Sequence, residues 1–389
     1  MSYLEKLLNG VEVEWSSLGD STFIEIANSG RTPVKASERI PGNVPYYGAN
    51  NIQDYVEGYT HEGEYVLIAE DGTQSIENYS IQWATGKFWA NNHVHVLRGT
   101  DKINSRFIFH YLRTVNFIPF LSGGDRAKLT KAKLAKIPIP IPPLSVQKEI
   151  VRILDSFTEL TAELTAELTA RKKQYDYYRE KLLSFEEGDV EWKPLGEVCD
   201  FQNGFAFQSN LFKDSGLPIV RITNINGVNV DLSDVKYFSP DDYNSGNPLN
   251  YAIVKGDILI AMSGATTGKI GYYNLDEKAY LNQRVGKFIP NKELLNNRFL
   301  FHFLLTKNEF LYVLAGGGAQ PNLSSNAIKE KLLIPIPPLS EQERIVAILD
   351  KFDVLTTSIS EGLPREIELR KKQYEYYRDL LLTFPKNNI

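Results

Sequence analysis

Ile139-Pro-Ile-Pro-Pro-Leu-Ser145 returns unchanged as Ile334 to Ser340, and each copy leads into the same helical pattern. Gln147, Ile150, Val151, Ile153, Leu154, Asp155 and Phe157 match Gln342, Ile345, Val346, Ile348, Leu349, Asp350 and Phe352. Further on, Arg171 to Tyr175 and Tyr177 to Arg179 reappear as Arg370 to Tyr374 and Tyr376 to Arg378. A third echo sits at the N-terminus, where Glu5 to Leu8, Val13 to Trp15 and Leu18-Gly19 match Glu180 to Leu183, Val190 to Trp192 and Leu195-Gly196. The chain therefore begins with the segment that follows its first long helix. Set beside the end of the second helix, that segment closes a two-fold object from one polypeptide. A repeat of roughly 190 residues is far longer than a solenoid unit and marks domain duplication.

Alternating Ile-Pro excludes helix and lacks ladder N–H groups, so each repeated strap reads as an extended connector or edge strand. The serine ending each strap, Ser145 or Ser340, suits a helix N-cap, and Glu343 would complete a capping box in the second copy. From Val146 to about Ser184 there is no Gly or Pro, and apolar residues recur at three- and four-residue spacing. The second helix, from about Glu341, meets Gly362 and Pro364 and is expected to break there and restart. Its interval from Phe352 to Arg370 is four residues longer than that from Phe157 to Arg171. Two long stripes of similar period most simply bury each other as an antiparallel two-helix coiled coil. The alternative is that each helix packs separately on its own domain. Thr161-Ala-Glu-Leu164-Thr-Ala-Glu-Leu168 is a tandem unit with leucine on the buried face and glutamate in solvent. Each unit adds roughly 6 Å and about 40° of rotation.

The expected division is an N-terminal segment over 1–18, mixed α/β domains over 19–145 and 196–340, and helical regions over 146–195 and 341–389. In the domains, β-rich runs such as Tyr65 to Ala69, His93 to Leu97, Pro218 to Ile222 and Asp257 to Ala261 alternate with Gly, Asn and Asp turns. Each ends in a matched apolar helix candidate, Arg106 to Leu112 and Arg298 to Leu305.

At 389 residues with 42% apolar and 12% aromatic content, the chain can bury real cores. Its one cysteine, Cys199, excludes a disulfide framework or a multi-cysteine zinc site and fits a reducing compartment. No signal-peptide core and no run near the roughly 18 apolar residues of a membrane span is present, so a soluble cytoplasmic protein is expected. The net charge of −5 argues against a generic nucleic-acid coat. Charge is uneven, however. Arg126, Lys128, Lys131, Lys133 and Lys136 cluster without an acid, while Glu62 to Glu77 is acidic.

The straps leading into Gln-…-Ile-Val-…-Ile-Leu-Asp resemble the specificity subunit of type I restriction–modification enzymes. Arg-Lys-Lys-Gln-Tyr-…-Tyr-Tyr-Arg and the Thr-Ala-Glu-Leu repeat resemble its IC subclass in particular. The resemblance covers essentially the whole chain. It implies two target-recognition domains, each reading one half of an asymmetric, interrupted site on double-stranded DNA. It also implies helical regions that dock two methyltransferase (modification) subunits, a restriction subunit that translocates and cuts, and no catalysis or cofactor in this chain.

Several fragments imitate catalytic signatures. Ser263-Gly-Ala-Thr-Thr-Gly-Lys269 follows a strand but lacks the first glycine of a P-loop, and Ile270 stands where its magnesium ligand belongs. Gly316-Gly-Gly318 lacks the strand–helix context of a dinucleotide site. Glu191-Trp-Lys193 has nuclease-like spacing but precedes Pro240-Asp241 where the motif requires the reverse. His93 and His95 share a strand face without a third ligand nearby, which favours packing or a polar DNA contact over metal. DNA contacts are then expected from side-chain chemistry: Arg or Lys for guanine, Asn or Gln for adenine, Ser or Thr for phosphate. In the first domain these are Thr73, Gln74, Ser75, Asn91, Asn92, Arg126 and Lys128. In the second they are Arg221, Asn224, Thr266, Thr267, Lys269, Gln283, Arg284, Gln320 and Asn322. A duplicated protein-binding scaffold without sequence readout is the competing reading.

Overall fold

The computed structural model describes residues 3–123, 127–186, 188–244, 246–317, 321–358 and 360–385. The first part of the chain begins with α1 (Tyr3–Leu8), β1 (Glu14–Ser17), β2 (Ile24–Ile26), β3 (Pro41–Tyr47), β4 (Ile52–Val56), β5 (His61–Ala69), β6 (Ile81–Ala90) and β7 (Val94–Gly99). It continues with α2 (Ser105–Leu112), α3 (Lys131–Leu134), β8 (Pro138–Ile141) and the long α4 (Leu144–Leu182). The second part starts with β9 (Glu191–Pro194), α5 (Leu195–Val198), β10 (Cys199–Asn203), β11 (Leu217–Val220), β12 (Lys236–Phe238), β13 (Ala252–Ile253) and β14 (Ile258–Ala261). It runs on through β15 (Ile270–Tyr272), β16 (Ala279–Leu281), β17 (Val285–Pro290), α6 (Asn297–Leu305), α7 (Asn308–Leu314) and α8 (Ser325–Lys331). The strap β18 (Leu333–Ile336) then leads into α9 (Leu339–Thr357) and α10 (Gly362–Leu382).

Two compact units result: Met1–Thr165 with Glu366–Ile389, and Ala166–Arg365. The first holds a six-stranded sheet ordered β2-β7-β5-β6-β3-β4, in which β3 runs parallel to β6 and β5 is antiparallel to both neighbours. Phe107, Ile108 and Leu112 of α2 are buried with Val66, Ile68 and Leu97 of that sheet. The second unit carries two four-stranded sheets, β10-β17-β14-β15 and β12-β11-β16-β13. There β11 is parallel to β16, and Phe299, Leu300 and Phe303 of α6 pack with Ile258, Ile260 and Phe288.

The straps are edge strands, as alternating proline requires. β8 pairs antiparallel with β1, and β18 with β9, each forming a two-stranded ribbon that buries Ile139 or Ile334 completely. The repeated Leu-Gly now has a cause. Leu18 N donates to Ile137 O at 2.9 Å and Leu195 N to Leu332 O at 2.8 Å. A Cβ on Gly19 would lie 2.7 Å from the Ala135 Cβ, and one on Gly196 2.9 Å from the Lys329 Cβ, so any larger residue would push the ribbon off its neighbour.

Both helix starts differ from expectation. Ser145 and Ser340 lie inside α4 and α9, which begin at Leu144 and Leu339. The cap is Pro338 in the second copy, and the first backbone bonds run to Pro143 O and Pro338 O. A proline already held in extended geometry supplies the entry turn and the first carbonyl, so no serine cap is needed. The capping box with Glu343 does not form; the first-turn acid Glu341 instead binds Arg344. The predicted break is present. Gly362 has φ +78°, its Cβ would sit 2.4 Å from Val354 O, and Pro364 falls in the first turn of α10.

In each unit two helices pack antiparallel. Within the first, Phe157 of α4 stacks on Tyr377 of α10 at 5.2 Å between centroids. Beyond α10, Pro385 O accepts from the Trp15 indole at 3.1 Å, and Trp15 pairs with Pro140 just ahead of α4. Leu4, Leu8 and Val13 share a core with Leu381, Leu382 and Phe384, so the N-terminal segment does lie against the end of the last helix. Within the second unit, Tyr178 stacks on Phe352 at 5.6 Å, and Trp192, past the end of α4, pairs with Pro335 just ahead of α9.

One polar cluster, built twice, fastens sheet domain to helix pair. His110 is fully buried; its Nε2 meets Asp155 Oδ1 at 2.8 Å and its Nδ1 meets the Tyr374 hydroxyl at 3.2 Å. Arg106 Nε donates to the same Asp155 oxygen at 2.8 Å. In the other unit His302 meets Asp350 at 2.7 Å and Tyr175 at 3.1 Å, while Arg298 donates to Asp350 and Asp353. Gln147 Oε1 accepts from Asn104 N and Gln342 Oε1 from Asn296 N, where Asn104 and Asn296 cap α2 and α6.

Burial lowers the pKa of both histidines more than their carboxylate partners raise it, which keeps them neutral. Burial alone would raise Asp155 and Asp350, but hydrogen bonds from the histidine and arginine outweigh it and hold both carboxyls below their ordinary range. In the unfolded chain the histidines take up protons below about pH 6.5 and the carboxyls near pH 4. The unfolded state therefore binds more protons on acidification, and stability falls as pH drops, first through the histidine range and then through the carboxyl range. Urea midpoints measured between pH 8 and pH 4 are expected to decline below about pH 6.5. Replacing both residues, His110→Gln with His302→Gln, should flatten the first part of that decline, and an unchanged slope would contradict the neutral assignment.

Candidate nucleic-acid interface

In the second unit four segments meet at the end of β14. Met262 N donates to Arg284 O at 2.8 Å, Leu323 N donates to Met262 O at 2.7 Å, and Ser263 bridges Asn322. Thr266 Oγ1 reaches Ile222 O at 3.3 Å, tying the 263–269 loop to the turn after β11. That turn is organised by buried Asn224, whose Oδ1 accepts from Arg221 N while its Nδ2 donates to Asp231 O and Asp234 O. The Lys269, Gln283 and Arg284 side chains are exposed, and the Arg284 guanidinium makes no hydrogen bond or ion pair with a described residue.

The first unit repeats the arrangement at the end of β5. Glu70 N donates to His93 O at 2.8 Å, Leu129 N donates to Glu70 O at 2.7 Å, and Asp71 bridges Lys128. Asn91 Oδ1 accepts from His93 N as Asn282 Oδ1 accepts from Arg284 N. Asn50 holds the following turn through Gly72 O and Gln74 N. Asp71, Thr73, Gln74, His93 and Lys128 line an open groove of about 690 Å³. Its electrostatics differ from those of the other unit. Lys128 Nζ lies 3.2 Å from Glu70 and 3.7 Å from Asp71, and His93 Nδ1 lies against Asp71. Burial would raise Glu70, but Arg31 at 2.6 Å and then Lys128 hold its carboxyl below the usual range.

The pattern of two matched frameworks with unlike side chains coincides with sequence likeness along the whole chain. The family model for the type I restriction modification DNA specificity domain matches twice, over residues 11–171 and 187–369. A candidate type I restriction enzyme specificity subunit of Haemophilus influenzae is 52% identical over 98% of both chains. The EcoR124I/EcoR124II specificity subunit of Escherichia coli is 37% identical over 99% of this chain and 98% of its own. The chain belongs to the type I specificity-subunit family. A solved specificity subunit from Mycoplasma genitalium shares the fold, with TM-score 0.61 at 16% identity and 98% coverage of both chains. Specificity subunits are non-catalytic, and this chain is one.

The structure distributes the expected contact residues of this specificity subunit unevenly. It brings together Thr73, Gln74 and Lys128 in one unit, and Thr266, Lys269, Gln283, Arg284 and Asn322 in the other. Asn92 is exposed on the turn beside His93. Arg126 and Gln320 lie outside the described residues. Three expectations are corrected. Asn91, Asn224 and Thr267 are buried, and their side chains are spent on internal bonds, Thr267 Oγ1 donating to Gly264 O at 2.7 Å. Short polar side chains in turns satisfy their own backbone before they can reach a ligand. Thr73 and Ser75 are likewise engaged, with Ser75 O and Asn78 N respectively. Arg221 is half-buried and donates to Asp234 O at 3.3 Å.

Sequence reasoning passed over Glu70 and its partner Arg31, because an acid beside DNA looks unfavourable until its counter-charges are seen. His93 and His95 part company: His95 is buried against Leu129 O and Asn28, whereas His93 is exposed. The P-loop-like stretch 263–269 runs into strand β15 and not a helix, so the helix N-terminus that holds phosphate in such loops is missing. Among the described residues no group of three His, Cys, Asp or Glu could hold a metal ion. Burial pushes the Cys199 thiol up to about 12, which leaves it unreactive.

Asn224 and Gln283 make opposite predictions. Asn224→Ala strands the Arg221 amide and two carbonyls in a buried turn and should cost about 2–3 kcal/mol in urea unfolding. Gln283→Ala, at an exposed position, should stay within about 0.5 kcal/mol of the parent. Equal losses would show that the Asn224 bonds do not hold the turn.

Proposed function

We propose that each unit reads one half of an asymmetric, interrupted site on double-stranded DNA, through residues 19–145 in one case and 196–340 in the other. The helical regions, 146–195 and 341–389, dock two methyltransferase subunits, and restriction subunits join that core in the cytoplasm. The observation that carries this reading is the repeated loop framework. Backbone bonds agree pair for pair around Glu70 and Met262, while the exposed residues on the two frameworks differ. One scaffold with two chemistries is what a reader of two unlike half-sites needs, since base edges are told apart by donor and acceptor pattern. A scaffold that binds only protein would have no use for unlike chemistry at matched turns. No helix among the described residues is long and apolar enough to cross a membrane, which is compatible with this setting.

Exchanging residues 19–145 for those of a relative is the direct test, with methylated sites mapped after reconstitution with the modification subunit. One half-site should change and the other persist; joint change of both halves contradicts modular reading.

The spacing between half-sites is assigned to α4. It is unbroken over 39 residues, roughly 58 Å at 1.5 Å per residue. Leu164 and Leu168 are half-buried and Glu163 and Glu167 exposed, so a further Thr-Ala-Glu-Leu unit continues the same pattern. Inserting one after Leu168 adds roughly 6 Å of helix and about 40° of rotation, less than two base pairs at about 3.4 Å each. Allowing for helix inclination, the expected result is identical half-sites separated by one more base pair. Methylation of DNA carrying a ladder of spacers measures this, and an unchanged spacer preference removes α4 from the role.

A further inference from the structure

Three positions in each unit occupy the same place in the repeated framework. Asp71 and Ser263 follow the residue whose amide is held by the turn opposite, and each bridges across to Lys128 or Asn322. His93 and Arg284 supply the carbonyl that holds that amide, and their own amides are held by Asn91 and Asn282. The backbone at 93 and 284 is thus held at both amide and carbonyl, and 71 and 263 are each bridged to the loop opposite, leaving the side chains as the variable part.

Their chemistry is opposite in kind. In the second unit the Arg284 guanidinium is exposed and makes no bond with a described residue, and Asn322 is exposed beside it. Ser263 Oγ is buried and has no partner among the described residues. In the first unit the corresponding place holds a carboxylate. Asp71, with a side chain 32% exposed, is flanked by His93 and Lys128, and Lys128 is itself shared with Glu70. A bare carboxylate would repel phosphate; one with two cationic or donor neighbours can face DNA. It can only accept hydrogen bonds, and the donors that bases present in the major groove are the exocyclic amines of cytosine and adenine. A free guanidinium can only donate, and guanine O6 and N7 match its fork.

We propose that positions 71, 93 and 128 of the first unit and 263, 284 and 322 of the second are one set of base-discriminating positions used twice. Asp71 takes the exocyclic amine of a base in its half-site, with His93 and Lys128 as positioning residues, and Arg284 takes a guanine in the other. This rests on the DNA-reading function proposed above and adds which residues discriminate and which base edges they meet.

The test reconstitutes the full-length chain with its modification subunit and maps methylation on a random duplex library. The transplant Asp71→Ser with His93→Arg and Lys128→Asn should alter one base pair or more in the first unit's half-site, favouring guanine, and leave the other half intact. Arg284→Gln should weaken discrimination for one guanine in the second half-site by roughly tenfold or more. Asp71→Asn, a near-isosteric change, serves if the transplant fails to assemble, and should relax one position of the first half-site only. Duplexes with 2-pyrimidinone in place of cytosine, or purine in place of adenine, then tell which amine is read. Assembled variants whose maps equal the parent's overturn the assignment, as does a change confined to the half-site of the other unit. If the parent complex itself selects no bipartite sequence, the DNA-reading function fails first, which keeps the two failures distinct.

Discussion

Asp155 and Asp350 each accept hydrogen bonds from a buried histidine and an arginine of the preceding sheet domain, and the rest of the architecture hangs on those two carboxylates. They lie on the long helices, their histidines and arginines on α2 and α6, and the tyrosine that closes each cluster comes from the other helix of the pair. One cluster therefore ties three elements whose sequence separations reach 264 residues in the first unit. An apolar contact could hold these elements together but would tolerate sliding. A fully bonded polar cluster in a low-dielectric setting accepts one register, because any slip leaves a buried donor or charge without its partner. Register matters here, since the loops around Glu70 and Met262 sit on the same sheets that α2 and α6 cover.

The same constraint explains why the repeats are written as they are. Gln147 and Gln342 lock the caps of α2 and α6, Gly19 and Gly196 let a ribbon strand pass close to its neighbour, and Ile139 and Ile334 plug the cores beneath the straps. Every element that holds a sheet domain on its helices is duplicated. The loops at the far ends of β5 and β14 are duplicated in backbone and in the asparagines Asn91 and Asn282 that hold them. Their exposed side chains differ, whereas buried ones such as Asn224 and Thr267 are committed to the turns. A binding surface carried on a rigid, repeated scaffold can change its chemistry without cost to the core.

Much of this was legible in the residues. The straps, the long helices, the break at Gly362 and the closing of the chain on its own N-terminal segment follow from repeats, proline chemistry and apolar spacing. The helix starts were misplaced by two residues because a proline took over the capping role assigned to serine. Around the ends of β5 and β14, residue chemistry could not separate Asn224 and Thr267, which hold turns, from Gln283 and Arg284, which face outward.

What the sequence by itself determined is the duplication, its circular order and its family, because these reside in identity and spacing along the chain. What only the tertiary structure decided is which short polar side chains are spent on internal bonds, which cations are neutralised by Glu70 and Asp71, and that the loops around Glu70 and Met262 share one backbone frame. The physical reason is that those facts depend on partners set by turn geometry, as around Asn224 and Thr267, or brought from tens of residues away, as with Lys128 and Glu70. A hydroxyl, amide or carboxylate reads the same in a sequence whether its bonding capacity is filled or free.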